Sequence, residues 1–270
     1  MYIILSIFVV LVVGALLWFF STHPSNDRNW SLDQKVLPSA DYNGDVVTVR
    51  NVRNFSYEST EKYAPAYYDA TYDLKTLERV YFIVEPFSGY KGAAHTFLSF
   101  EFSDGRFLVA SVEIRKQVGE SFSAVKGLFR QYELMYVLAD ERDALKLRSN
   151  YRHDEVYVYP IKTSKERLNQ TFRSILARVN KLYDEPEFYH TITNNCTTNL
   201  ARHANEAVPG RVPWNLTLLF PAQADRYAFD LGLIDTELTD FEEVRRAHHI
   251  NDLALAYAND PEFSLRIRGR

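Results

Sequence analysis

The chain has 270 residues, with 31 Lys and Arg against 35 Asp and Glu for a formal charge of −4. That balance gives no basic footprint for a nucleic-acid partner, and ten glycines without a Gly-rich run give no phosphate loop. One cysteine, Cys196, rules out an internal disulfide, and with scattered histidines it offers no zinc-ligand spacing.

Residues 2 to 20 form an uncharged run, YIILSIFVVLVVGALLWFF, in which only Tyr2 and Ser6 are polar. At ~1.5 Å per residue a helix of this run spans roughly 28 Å, close to the ~30 Å hydrocarbon core of a bilayer. Trp18, Phe19 and Phe20 supply an interfacial aromatic end. No small-x-small cleavage motif precedes Ser21-Thr22-His23-Pro24, so the expectation is an uncleaved transmembrane signal anchor over residues 1 to 20. Arg28 and Lys35 follow the run and would lean towards an inside domain by the positive-inside rule. The extreme N-terminal position of the run favours a signal anchor with the domain outside. Residues 21 to 38, polar with two prolines, read as a tether, and residues 39 to 270 as one domain.

Within the domain, Asn43-Gly44 is a turn signal ahead of a strand at Val46 to Val49. Residues 54 to 72 are aromatic and polar without clear periodicity. Val80 to Val84 reads as a buried strand and Pro86 to Gly92 as a loop. The clearest β signal is Ala94 to Phe102, a two-residue Asp104-Gly105 turn, then Phe107 to Arg115. Tyr132 to Leu138 and Val156 to Ile161 read as further strands. Thr163-Ser164-Lys165-Glu166 resembles a capping box and opens a helix with Leu168, Phe172, Ile175, Leu176, Val179 and Leu182 at helical spacing. A second helix starts near Cys196 and stops by Pro209-Gly210. One or two more occupy Ala222 to Leu231 and Phe241 to Ala258. An antiparallel sheet with packed helices is an α+β fold.

Cys196 sits in Thr193-Asn194-Asn195-Cys196-Thr197-Thr198-Asn199 at a helix start, where unpaired N–H groups and a partial positive charge favour a thiolate. The bland alternative is a small buried hydrophobe. Seven histidines compete as its base. His23 and His153 read as solvated, and His248 and His249 lie near the C-terminus. His203 is seven residues along the same helix, roughly 10 Å up its axis. His190 precedes the cysteine by six residues. His95, at the start of a strand in Gly92-Ala93-Ala94-His95, has the placement that a thiol nucleophile needs of its base. Arg130, Arg142 and Arg148 are candidate anion binders, and Asp140-Glu141-Arg142-Asp143 reads as a turn or cap.

The stretches Ala94 to Phe102, Ser111 to Lys116, Gly119 to Ser123, Asp140 to Asp143 and Asn194 to Asn199 resemble the Lnb N-terminal periplasmic domain family, which is named for a lipoprotein N-acyltransferase. The resemblance runs from about Ser25 to the C-terminus. It implies a permuted papain-like (NlpC-like) thiol fold with the His strand before the Cys helix, as in lecithin:retinol acyltransferase-like enzymes. It carries His95 over as base and Cys196 as nucleophile, and offers Glu113 as the group orienting His95. Unlike the full Lnb enzyme, the sequence shows one membrane span and no large C-terminal membrane domain. Register tests the Glu113 assignment: a two-residue Asp104-Gly105 loop pairs His95 with Ile114 and turns Glu113 to the other face, whereas a one-residue bulge returns it.

The resulting expectation is a bacterial inner-membrane protein with a single span and a periplasmic thiol enzyme domain. It would be an acyltransferase or hydrolase taking phospholipid or lipoprotein acyl groups through a Cys196 thioester, with no cofactor and no metal. Membrane lipids and lipoproteins are the expected partners. The alternatives are a peptidoglycan cysteine peptidase or amidase and a non-catalytic periplasmic scaffold.

Overall fold

The computed structural model describes residues 2–88 and 92–270, apart from the side chains at positions 3, 11, 12, 15–18 and 20. The chain runs through α1 (Tyr2–Ser21), β1 (Ser39–Asn43), β2 (Val46–Arg53), a short hairpin of β3 (Ser56–Tyr57) and β4 (Tyr63–Ala64), and β5 (Tyr67–Asp73). The central strands follow: β6 (Leu77–Pro86), β7 (Ala94–Phe102), β8 (Phe107–Arg115) and, after α2 (Ala124–Leu128), β9 (Glu133–Ala139). Then come α3 (Glu141–Lys146), a π-helical turn over Leu147–Arg152, β10 (Tyr157–Pro160), α4 (Lys165–Asp184) and α5 (Cys196–Ala207). Four short helices close the chain: α6 (Ala224–Asp230), α7 (Phe241–Ala247), α8 (Asn251–Ala256) and α9 (Phe263–Arg266).

The main sheet has the order β1-β2-β9-β8-β7-β6-β10, with β5 also paired to β2. Its pairings are antiparallel except for a single parallel contact of β2 with β9. The α+β expectation therefore holds, with the sheet mixed rather than purely antiparallel. Alternation along β7 decides the layers. Ala94, Leu98, Phe100 and Phe102 join an apolar cluster with Phe172 and Leu176 of α4 and Leu200 of α5. Phe97 points the other way, into a second cluster with Leu145 of α3, Ala254 of α8 and Phe263 of α9. Helices thus cover both faces. Ser164 caps α4 as the sequence indicates, accepting from the Arg167 amide. The helix expected over 241–258 is two helices, broken where His248 and Ile250 pair with β10 and the residue before it: the Val158 amide bonds the His248 carbonyl and the Ile250 amide the Val156 carbonyl.

Two expectations are corrected. The β7–β8 turn is not a two-residue loop. Phe97 pairs with Ser111 and Glu101 with Phe107, leaving Ser103, Asp104 and Gly105 in a three-residue turn with Gly105 at φ +81°. Glycine adopts that left-handed geometry without strain, as three-residue hairpin loops require. The second correction concerns the transmembrane helix. Residues 2–21 are helical, but among the described residues no helix is long and apolar enough to cross a membrane. Trp18 and Phe20 of the expected aromatic end, like part of the 86–92 loop, lie outside the described residues and side chains.

The segment read as a tether lies on the domain. Trp30 is buried, with Arg115 stacked over its ring at 4.2 Å. Arg28 pairs with Glu133 at 2.7 Å, and Asn26 donates to the last carbonyls of α4.

Candidate active site

His95 stands on β7 facing the α3 side of the sheet, its ring stacked on Phe97 with centroids 5.3 Å apart. The three-residue turn sets the register so that Glu113 on β8 shares this face. Between them lies Ser111: His95 Nε2 is 2.7 Å from Ser111 Oγ, which donates to Glu113 Oε1 at 2.9 Å. The direct His95–Glu113 distance is 3.8 Å, so the carboxylate acts on the ring through the serine. Ser111 has one O–H, and Glu113 takes it. Its oxygen must then accept from Nε2–H, which fixes the neutral imidazole as the Nε2–H tautomer. Nδ1 carries the free lone pair and has no hydrogen-bond partner among the described residues.

Arg148, on the π-helical turn, closes the constellation. It is buried, donating to Glu85 at 2.6 Å and to Glu113 at 3.1 Å, with its guanidinium 4.6 Å from the Phe97 ring centroid. Glu85 is the β6 partner of His95 in the ladder, so Glu85, His95 and Glu113 stand side by side on three adjacent strands. Burial lowers the His95 imidazole to about 3, helped by Arg148 and opposed by Glu113. For Glu113, burial pushes the carboxyl up, but Arg148, His95 and Arg53 outweigh it and hold it well below the usual carboxylate range. The resting state is a neutral imidazole beside a carboxylate.

Cys196 is the first residue of α5. Asn195 caps the helix by accepting from the Thr198 amide at 2.8 Å, and Thr198 Oγ1 accepts from the Asn195 amide at 2.9 Å. Cys196 is 8% exposed, and its sulfur lies 3.7 Å from Thr197 Oγ1. Cys196 belongs to the apolar cluster on the α4–α5 side, while His95 faces the opposite side of β7, and no hydrogen bond joins them. The residues that follow each do meet: Thr96 Oγ1 is 3.2 Å from Thr197 Oγ1. The structure thus brings His95 and Glu113 together and sets Cys196 across the strand from them. Beside α5 lies a cavity of about 170 Å³, lined chiefly by apolar residues including Val80, Leu98, Leu200 and Leu218, with Thr197 at its wall. A larger, polar cleft of about 1110 Å³ by Tyr68 and Arg106 contains none of these residues.

The other candidates are engaged elsewhere. His203 is buried between Tyr136 Oη at 2.7 Å and Ser174 Oγ at 2.5 Å. His190 Nδ1 sits 3.0 Å from Thr193 Oγ1 in its own turn. Arg142 donates to backbone carbonyls at 260 and 261, and Asp140 caps α3. Ser111, Glu85 and the pairing role of Arg148 escaped sequence reasoning. The one available signal was a carboxylate, Glu85, continuing the apolar run of β6. Among the described residues no group of three or more His, Cys, Asp or Glu side chains is arranged to hold a metal ion.

The domain is a mixed sheet clad by helices, with a cysteine heading one helix and a strand-borne histidine tied to a carboxylate. The chain belongs to the Lnb N-terminal periplasmic domain family, whose model matches residues 63–222, more than half its length. The matched domain is thus a periplasmic one, and it contains His95, Glu113 and Cys196. No characterised protein and no solved structure matches the chain.

Proposed function

We infer that the domain is a thiol acyltransferase or hydrolase of permuted papain-like order, with Cys196 as nucleophile and His95 as base. The observation that carries this reading is the relay Nε2–H···Ser111–O–H···Glu113, which leaves Nδ1 as the only basic nitrogen of the ring. An orienting group on one nitrogen and a lone pair on the other is what a thiol's base requires. The Thr96–Thr197 contact puts both reactive residues one position from a shared junction near the start of β7, the region through which the thiol's proton would reach Nδ1. The sulfur attacks an ester carbonyl, and its proton passes to Nδ1 as the S–C bond forms. The amides at the start of α5 hold the oxyanion. The C–O bond then breaks, the leaving alcohol takes the proton from the imidazolium, and an acyl thioester remains. An amine or water attacks the thioester and restores the thiol. The apolar cavity beside Thr197 and Leu200 suits an acyl chain, which favours phospholipid or lipoprotein donors over peptidoglycan peptides.

Intact-mass measurement after incubation with phospholipid vesicles tests this. An acyl adduct should form on Cys196, be absent in Cys196→Ala, and form ~10²–10⁴-fold more slowly in His95→Ala, the usual scale for losing a general base. Cleavage of muropeptides without an adduct would instead mark a peptidase.

A second reading, a binding module without turnover, is favoured by a specific observation: thiol and imidazole face opposite sides of β7, and both are largely buried. Iodoacetamide separates the two. If Cys196 labels with a pH profile centred near the unperturbed ~8.5 in both the native chain and His95→Ala, no activated pair exists.

A further inference from the structure

Large apolar side chains left in water on a folded domain mark an interaction surface when they cluster. Phe122, Val125 and Phe129 around α2, and Trp214, Leu216 and Phe220 in the segment after α5, are each between 50% and 67% exposed. Hydrogen bonds bind these two segments to the turn that presents Cys196. Thr191 donates to the Ala124 carbonyl at 2.7 Å, and its amide bonds the Gly127 carbonyl. Asn195, the residue before the thiol, donates to the carbonyls of Thr191 and Leu218. The third loop, between β6 and β7, joins them: Phe87 meets the Phe122 ring, and the Ala222 amide bonds the Gly92 carbonyl. The six side chains thus stand around one end of the molecule, the end where β7 begins and α5 begins.

The Cys196 turn and the Trp214 segment after α5 carry no charged side chain, whereas the α2 segment brings Lys126 and Arg130. No Asp, Glu, Lys or Arg occurs from Phe188 to Ala201 or from Val212 to Ala224. The uncharged helix α1, with Ile4, Phe8 and Val10 exposed, ends on the same face: Arg130, next to Phe129, donates to the Phe19 carbonyl at 3.2 Å and stacks on its ring. A folded partner shaped to the rim leaves α1 uncovered, whereas a lipid surface covers both.

The geometry points to a lipid-docking rim: the side chains of Phe122, Val125, Phe129, Trp214, Leu216 and Phe220 enter the interface of a bilayer and set the Cys196 turn against it. Trp and Phe at such a rim take the interfacial position that amphipathic rings prefer, about 5–10 Å into the headgroup and acyl boundary. The rim needs no chemistry at Cys196, so its test is run without the thiol. In the full chain carrying Cys196→Ala, a single NBD fluorophore is placed through Trp214→Cys, Val125→Cys or, as control, Ser103→Cys. Ser103 sits in the turn at the far end of the β7–β8 hairpin, roughly 30 Å away. Each protein is incubated with vesicles of phosphatidylethanolamine and phosphatidylglycerol containing doxyl lipid. Labels at 214 and 125 should be quenched several-fold more than the label at 103. Equal quenching at the three positions would overturn the rim. Shielding of 214 and 125 from aqueous iodide without quenching by doxyl lipid would overturn it too, since a protein contact would then cover the surface. Two independent exposed positions guard against a misfolded variant.

Discussion

The two faces of the central sheet are built by opposite means. On the α4–α5 face apolar side chains dominate the interior, with Phe100 and Phe102 packed edge-on against Phe172. On the α3 face the apolar cluster is smaller and threaded by ion pairs: Glu85–Arg148–Glu113, Arg53–Asp143 and Glu141–Arg268. Hydrophobic burial rewards any good fit, whereas a buried charge is tolerated only with its partner in place. The apolar face therefore supplies stability, and the ionic face supplies a fixed arrangement of named atoms. His95 is held on the second face and Cys196 on the first, so the candidate chemistry joins the two modes of construction across one strand.

Rescue experiments break this comparison most sharply. Arg148→Ala should cost about 3–5 kcal/mol in urea unfolding, because Glu85 and Glu113 lose their common cation. Adding Glu85→Gln and Glu113→Gln to Arg148→Met should recover much of that loss. Phe172→Ala should cost a similar ~3–5 kcal/mol on the other face, with no partner substitution that repairs it. A triple variant as unstable as Arg148→Ala would mean that packing around Arg148, rather than charge, dominates its face.

The next effect is in pH, and each face contributes one histidine. Burial lowers both His95 and His203 from 6.5 to about 3. Between those values the unfolded chain binds protons that the folded chain refuses. Stability should therefore fall as pH falls from about 6.5 towards 3, by up to ~1.4 kcal/mol per pH unit for each histidine. Glu113, held low, adds to the loss below its ordinary value near 4.5. His95→Gln and His203→Gln should each flatten the acid limb measured by urea titration at stepped pH. A limb left unchanged by His203→Gln would place the acid sensitivity on the ionic face alone.

Gly105→Ala should cost roughly 1–2 kcal/mol, the penalty for a Cβ in the left-handed region, with Gly105→Asn milder. Asn195→Ala should cost about 1 kcal/mol by removing the cap of α5. Thermal melts would resolve both, and only the first should disturb the environment of His95.

The sequence was most readable where periodicity and burial coincide. β7 and β8 appear over the very residues their alternation indicates, and the Ser164 cap and the apolar stripe of α4 follow from helical spacing. The β5 region was opaque because Tyr67 and Tyr68 lie half-buried, only Tyr72 is fully buried, and the strand shows no clean alternation. The candidate site was legible residue by residue but not as an assembly. His95 and Glu113 stand out by type, yet their meeting depends on one extra turn residue, and a two-residue loop would have looked equally natural for Asp104-Gly105. Arg148 reads as a candidate binder of a phosphate or carboxylate, and on the π-helical turn the carboxylates it binds are the internal ones of Glu85 and Glu113. The expected pairing of His95 with Cys196 rests on residue type and family resemblance, since residue spacing says nothing of which side of a strand a distant helix covers.

The Ser103–Gly105 turn lies at the far end of its hairpin from His95 and touches none of the residues discussed as chemistry. It nevertheless decides what His95 faces. Closing the same chain on a two-residue Asp104-Gly105 loop, with Ser103 drawn into β7, would slide β8 by a residue and exchange Glu113 for Ile114 beside the imidazole, leaving every site residue intact in the gene. An alignment of site residues alone would miss such a change, so the way this turn closes marks the His95 environment as much as the identity of residue 113 does.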